Sequence, residues 1–409
     1  MLSLARADWL SRDRILAWSG VMLVTQVGLV AFVAAWDHGL IVPLKGPAPA
    51  DFVSFYAAGR QVLAGAPAQA YVPGAHHAAE IAATGPGLPY IYFYYPPVYL
   101  LWCAPAALAP LQTAFVACQV VAMAAWLAAM RGILRMPGWS WALPMLAFPA
   151  VWWTALTGQN AFILAALLGA ATLLLDKRPI LAGVLLGTMC FKPHLALLAP
   201  IALAAGGRWR AFGAAALAVA LWVGLSVALF GLDIWRDYLG ALAGSSRVYQ
   251  TGLVDLNDYV TAYGAARLLG AAPVAAQVIQ AAVSLTAAAA VAWIWRRERG
   301  PAVRSAALAA GTLLAAPLAL MYDLMLLSVA FAWLVWLGQR TGFRPWEKLA
   351  MFFCFVVALV SRYVGLAHVP LGPLAPAVLL AVCLARSIKG ATADGRGLGM
   401  ADAGAAARA

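Results

Sequence analysis

Long runs without charge set the first limit on this chain. Ile15–Trp36, Ala211–Gly231 and Ala271–Trp295 contain no Asp, Glu, Lys or Arg, and Met351–Ser361 with its flanks reads the same way. About 20 apolar residues carry an α-helix across a bilayer. A helix also satisfies its own backbone donors and acceptors in lipid, which an open strand does not. The pattern holds throughout: 10% of residues are charged, against roughly 25% in a soluble domain. The chain therefore reads as an all-α polytopic integral membrane protein.

The basic residues give the topology. A net charge of +12 would suggest nucleic acid if the bases formed a surface, but they come as short clusters between apolar runs. These are Arg131/Arg135, Lys177/Arg178, Arg208/Arg210 and Arg296/Arg297/Arg299, and such clusters favour the cytoplasmic side. Residues 1–14, with Arg6, Arg12 and Arg14, are expected to stay there too. The first apolar span, about 15–36, is too long for a cleavable signal and lacks a convincing small-residue cleavage site, so it is read as a retained helix. It leads into a first outer loop, 37–96, where Asp37, Asp51 and Glu80 face only Lys45 and Arg60. Residues 97–112 are apolar, short and proline-rich. If they crossed, every later basic cluster would fall outside. Read as a re-entrant or broken segment, they leave all of the clusters inside.

Further spans are predicted near 113–133, 140–157, 160–176, 178–191, 193–207, 211–231, 271–295, 304–320, 321–338, 346–366 and 370–388. That makes about twelve transmembrane helices in a single domain over 1–390, with a second outer loop at 232–270. Residues 391–409, rich in Ala and Gly, read as a disordered cytoplasmic tail. The five cysteines lie in apolar runs without CxxC spacing, as buried thiols do. Neither a metal nor any other cofactor is indicated. His76 and His77 do not read as metal ligands, for want of an i, i+4 partner and a nearby carboxylate set, and His38 and His368 read as interfacial.

Polar residues within such a chain need a reason. Asp51 precedes Phe-Val-Ser-Phe-Tyr-Ala-Ala-Gly, which suits a helix N-cap on an amphipathic helix lying on the membrane. It suits a proton-accepting carboxylate as well. The aromatic run Tyr90 to Tyr99 is either an interfacial belt or a wall for sugar or isoprenoid. Thr157-Gly158-Gln159-Asn160 is a polar turn whose amides could bind hydroxyls. Lys192 falls on the outer side against the basic trend: it either snorkels or contacts phosphate, with His194 beside it. Asp323, after Tyr322, is a turn residue or a substrate contact.

Taken in order, these pieces resemble the membrane glycosyltransferases of family 87, the polyprenyl-phosphate-mannose-dependent mannosyltransferase type of GT-C enzyme. The matching residues are Asp51-Phe52 with Tyr56 and Gly59, Gly65, Tyr71, Tyr95-Pro96-Pro97, Gly158-Gln159-Asn160, Gly183 with Leu185-Leu186-Gly187, Lys192-Pro193, Pro317 and Tyr322-Asp323-Leu324. They run from about 50 to 330. The resemblance implies a GT-C-like helical bundle in the plasma (inner) membrane. It implies transfer of a sugar, mannose or another hexose or pentose, from a polyprenyl-phosphate donor to a lipid or glycan acceptor at the extracytoplasmic face. In the family the acid of the first outer loop is taken as the base, which maps onto Asp51. The donor phosphate would be met by Lys192, His194 and Arg60, and substrate by Tyr56, Tyr95, Gln159, Asn160, Tyr322 and Asp323. One carboxylate is enough for an inverting displacement, and no DxD-like motif stands out, so no obligatory metal is expected. No motif of the family is recognised in the second outer loop.

Two other classes fit the hydropathy alone. A transporter or flippase fits the span count, but no internal repeat is visible and the polar residues sit at one face rather than the midplane. A structural membrane protein leaves the ordered polar set unexplained.

Overall fold

A computed structural model describes residues 2–36, 51–250, 255–298 and 300–388. The tail 391–409, residues 37–50 of the first loop and His38 lie outside the described residues. Among the described residues the regular structure is helical, with one isolated bridge between Tyr259 and Leu320. In chain order the main helices are α1 (Arg12–Trp36), α2 (Phe52–Leu63), α3 (Pro73–Thr84), α4 (Pro97–Ala106), α5 (Leu111–Leu134), α6 (Pro149–Thr157), α7 (Ala161–Leu174), α8 (Pro179–Thr188) and α9 (Leu198–Ala205). There follow α10 (Trp209–Phe230), α11 (Asp233–Gln250), α12 (Ala262–Leu268), α13 (Pro273–Arg297), α14 (Pro301–Ala315), α15 (Leu327–Thr341), α16 (Glu347–Gly365) and α17 (Leu374–Ile388).

Among the described residues, six helical segments are long and apolar enough to cross a membrane: Arg12–Phe32, Leu111–Leu134, Trp209–Phe230, Pro273–Arg297, Met321–Thr341 and Glu347–Gly365. Six further apolar helices among the described residues have 10–17 residues, which at 1.5 Å per residue is about 15–26 Å, short of a hydrocarbon core of ~30 Å. The expected span at 140–157 is one of the places where sequence and structure differ. It is two short helices, Ala142–Leu146 and α6, separated where Pro149 forces the chain to restart. The segment 232–270, expected as a second outer loop, is likewise largely helical over its described residues, with α11 and α12 inside it.

Packing follows side-chain size. The segment Met321–Thr341 is 78% buried and forms the centre, whereas Arg12–Phe32 is 6% buried and lies at the periphery. Without a hydrophobic drive between helices in lipid, close approach depends on small residues and on hydrogen bonds. Gly183 and Gly187 of α8 supply the first: a Cβ on either would lie 2.2 and 2.4 Å from the carbonyl oxygens of Ala211 and Ala215 on α10. Trp126 Nε1 donating to Ser328 (2.9 Å) and Trp333 Nε1 donating to Thr172 (3.0 Å) supply the second.

The two ends of the bundle differ in chemistry. Just beyond the C-terminus of α7, Asp176 pairs with Arg208 (2.9 Å) and Arg304 (2.6 Å). Arg386 on α17 pairs with Glu347 on α16, and Arg135 and Arg340 lie over Trp336. Before the N-terminus of α7 lie Gln159 and Asn160. The basic clusters and the polar turns are therefore separated by the length of α7, about 20 Å.

Candidate active site

The helix expected on the membrane surface is instead inside the protein. In α2, Phe52 to Gly59 and Gln61 are buried, so its apolar faces meet protein rather than lipid. Gly59 allows this: a Cβ there would come within 2.2 Å of the Cys103 carbonyl on α4. Nor does Asp51 cap the helix, since it has helical backbone angles and its side chain makes no capping hydrogen bond. The carboxylate turns the other way and accepts a 2.6 Å hydrogen bond from Gln159 Nε2.

Gln159 is delivered by a left-handed turn. Gly158 ends α6 at φ +72°, and the amides of Gly158 and Gln159 both donate to the Thr154 carbonyl, at 3.0 and 3.1 Å. A side chain at Gly158 would strain the backbone and place a Cβ 2.5 Å from that of Phe52. Gly158→Ala is therefore expected to move Gln159 away from Asp51 and to cost roughly 1–3 kcal/mol from strain and overpacking. Activity assays and thermal melts on the same preparation check this, and wild-type behaviour in both would contradict it. The other end of the Gln159 amide accepts from the Tyr95 hydroxyl at 3.2 Å. One amide thus links a tyrosine to the acid.

Lys192 sits where the apolar run 178–207 is broken, between the 3₁₀ turns Met189–Phe191 and Pro193–Leu195. It does not snorkel. It is 4% exposed, its Nζ donates to Asp323 Oδ1 at 2.6 Å, and it lies 4.8 Å over the Tyr322 ring. Asp323 is carried by the 3₁₀ turn Met321–Leu326, beyond the Pro317 break after α14, and its second oxygen accepts the Leu320 amide at 3.0 Å. An ammonium has three donors, and Asp323 takes one.

Asp51, Tyr95, Gln159, Lys192, His194, Tyr322 and Asp323 all line one cavity of about 1110 Å³. Burial pushes the Asp51 carboxyl up to about 6, against the opposing pull of the Gln159 bond and of Lys192, while Asp323 adds a further push upward. The remaining expected residues do not reach this space. Tyr56 is buried and donates to the Ala109 carbonyl at 3.1 Å, Arg60 is exposed, and Asn160 lies behind the lining beside the Tyr95 and Tyr99 hydroxyls.

The second outer loop contributes more than its sequence suggested. Asp255, Asn257 and Asp258 line the cavity, and Arg362 joins them from α16. Arg362 pairs with Asp258, lies 3.8 Å from Asp255 and sits over Trp153 at 5.4 Å. The signal for it was available: like Lys192, it is a lone base at the outer end of a predicted span. His368 also lines the cavity. His76 has an i, i+4 partner after all, Glu80, at 3.5 Å and fully buried. Its Nδ1 meets Gln61 at 2.9 Å and its Nε2 meets Ser54 at 3.0 Å, and Ser54 faces the cavity. Among the described residues no cluster of three or more His, Cys, Asp or Glu could hold a metal ion.

The family model of glycosyltransferase family 87 matches residues 93–320, more than half of the 409 residues. The chain belongs to glycosyltransferase family 87. It is accordingly a membrane glycosyltransferase, with a donor and an acceptor to accommodate. Comparison with curated proteins and with solved structures returned no match. Within this family-87 chain, Tyr95, Gln159, Lys192 and His194 fall inside the matched segment. Asp51 precedes it, and Tyr322 and Asp323 follow it by a few residues.

Proposed function

We propose that this glycosyltransferase moves a sugar, mannose or another hexose or pentose, from a polyprenyl-phosphate donor to a lipid or glycan acceptor, with Asp51 as the base. The observation that carries the reading is the convergence of Asp51, Gln159, Lys192 and Asp323 on one cavity from four distant parts of the sequence. The acceptor hydroxyl attacks the anomeric carbon and gives its proton to Asp51. The bond from that carbon to the phosphate oxygen breaks on the opposite side, with inversion, and polyprenyl phosphate leaves. One carboxylate suffices, because the phosphate is already a leaving group and needs no acid. Gln159 holds the carboxylate in place, and Lys192 meets the phosphate charge, an arrangement in which fixed charge is aimed at the group that gains it.

Several features support the extracytoplasmic face as the site of transfer and cytoplasmic placement of both ends. The cavity lies at the end of α7 away from Asp176 and its arginines, and basic residues favour the cytoplasm. The plasma (inner) membrane is proposed from the resemblance to family 87.

The test is to incubate the purified protein with a panel of polyprenyl-phosphate sugars and a membrane lipid extract, then to identify products by mass spectrometry. A sugar-bearing product from one donor is the expected result, and no product from any donor counts against the donor class. The pH dependence is a second test. A base works unprotonated, so kcat/KM is expected to be low in acid, to rise through about pH 6 and to level off above it. A profile flat across that window removes Asp51 as the titrating base.

A further inference from the structure

The extended segment between α3 and α4 is built to present a row of rings. Its side chains alternate, as in any extended chain. Phe93 points into the core, 1% exposed, and Ile91 is packed against it at 9% with an edge on the cavity, while Tyr90, Tyr92 and Tyr94 are half-buried and line the cavity. The Tyr90 and Tyr92 rings are 4.7 Å apart. Those of Tyr92 and Tyr94 are 5.6 Å apart and stack at 13°. The row ends at Tyr95, whose hydroxyl bonds Gln159 and through it Asp51.

The row is held from behind. His77 Nε2 donates to the Leu88 carbonyl at 2.8 Å, Glu80 accepts the Ile91 amide at 3.1 Å, and Tyr71 donates to the Tyr95 carbonyl at 3.0 Å. This gives the buried His76–Glu80 pair of α3 a purpose that the transfer chemistry leaves open: it sits under the platform and fixes it. A platform ordered in advance binds without the entropy cost of ordering it.

An interfacial belt faces lipid, but these rings face the cavity that contains Asp51. Each ring offers a π-face with negative character and a phenol that both donates and accepts. The C–H face of a pyranose suits the first and its hydroxyls suit the second, whereas an isoprenoid uses only the apolar part. We propose that Tyr90, Tyr92 and Tyr94 form a subsite for the glycan portion of the acceptor, which leads its reacting hydroxyl toward Asp51. The proposal rests on the reading of Asp51 as the base of a sugar transfer.

The experiment is binding of the purified full chain, without donor, to immobilised linear oligosaccharides of mannose, glucose and galactose, from mono- to hexasaccharide, with farnesyl phosphate titrated separately. Affinity for at least one series is expected to rise from mono- to trisaccharide. Tyr92→Ala should weaken the trisaccharide about tenfold and leave farnesyl phosphate binding unchanged, while Tyr92→Trp keeps a stacking ring and should retain glycan binding. Absence of length dependence in every series overturns the proposal. So does a Tyr92→Ala variant that loses farnesyl phosphate and keeps the glycan, which would make the row a prenyl groove. Asp51→Asn separates the two readings: it should bind glycan normally and transfer about 10²–10⁴-fold more slowly. If it binds glycan and transfers at the wild-type rate, the base assignment fails while the subsite stands.

Discussion

Asp51→Asn is expected to lower sugar transfer by about 10²–10⁴-fold, the usual contribution of a positioned general base, with little change in folding. The substitution suits the question because the asparagine oxygen can still accept the 2.6 Å hydrogen bond from Gln159. Shape and contacts are kept, and only the ability to take a proton is lost. The residual rate should also lose its rise through about pH 6, because no carboxyl remains to titrate there. The readout is product formation by mass spectrometry, with a thermal melt on the same preparation. Wild-type transfer by Asp51→Asn would falsify the assignment outright. Loss of transfer together with a collapsed melt would make Asp51 a structural anchor, and Gln159→Ala then gives the independent check. It frees the carboxylate without removing it and should lower transfer through misplacement, with the acidic limb still present.

Part of this arrangement is legible in the sequence alone. The long apolar helices are visible because lipid demands charge-free runs, although six rather than about twelve of the described segments reach that length, and the polar turns are conspicuous because charge is costly beside them. Three things were not visible, each for a physical reason. An amphipathic sequence such as Phe52–Leu63 specifies that one face is apolar but not what covers it. The covering came from α4, through a contact that depends on the missing side chain of Gly59. The partner of Lys192 lies 131 residues away, and no local pattern encodes a pairing across that distance. Arg362 and the acids of the second loop meet only because α16 returns past α6 to that end of the bundle. Glu80 is a different case: its i, i+4 relation to His76 was in the sequence and carries a buried contact.

The second large effect concerns Lys192 and Asp323, where stability and function need to be told apart. Both are almost fully buried, so removing either charge alone leaves the other uncompensated. Lys192→Met is expected to cost about 3–5 kcal/mol for that reason alone, whatever the lysine does to a substrate. A drop in activity would then prove little. The double variant Lys192→Met/Asp323→Leu removes both charges. Replacing a buried pair by apolar residues of similar volume is often neutral, so its melt should return toward wild type. If Lys192 serves only the fold, its apparent affinity for a polyprenyl-phosphate sugar should return as well. On the phosphate reading the affinity stays lost, because the anion has no cation to meet. Asp323→Asn approaches the question from the other side. It keeps the ammonium and an oxygen to accept from it, and should therefore keep donor affinity better than Lys192→Met even though Lys192 is less well paired. A double variant that regains both stability and donor affinity would confine Lys192 to a structural role and leave Arg362 as the cation lining the cavity best placed for the phosphate.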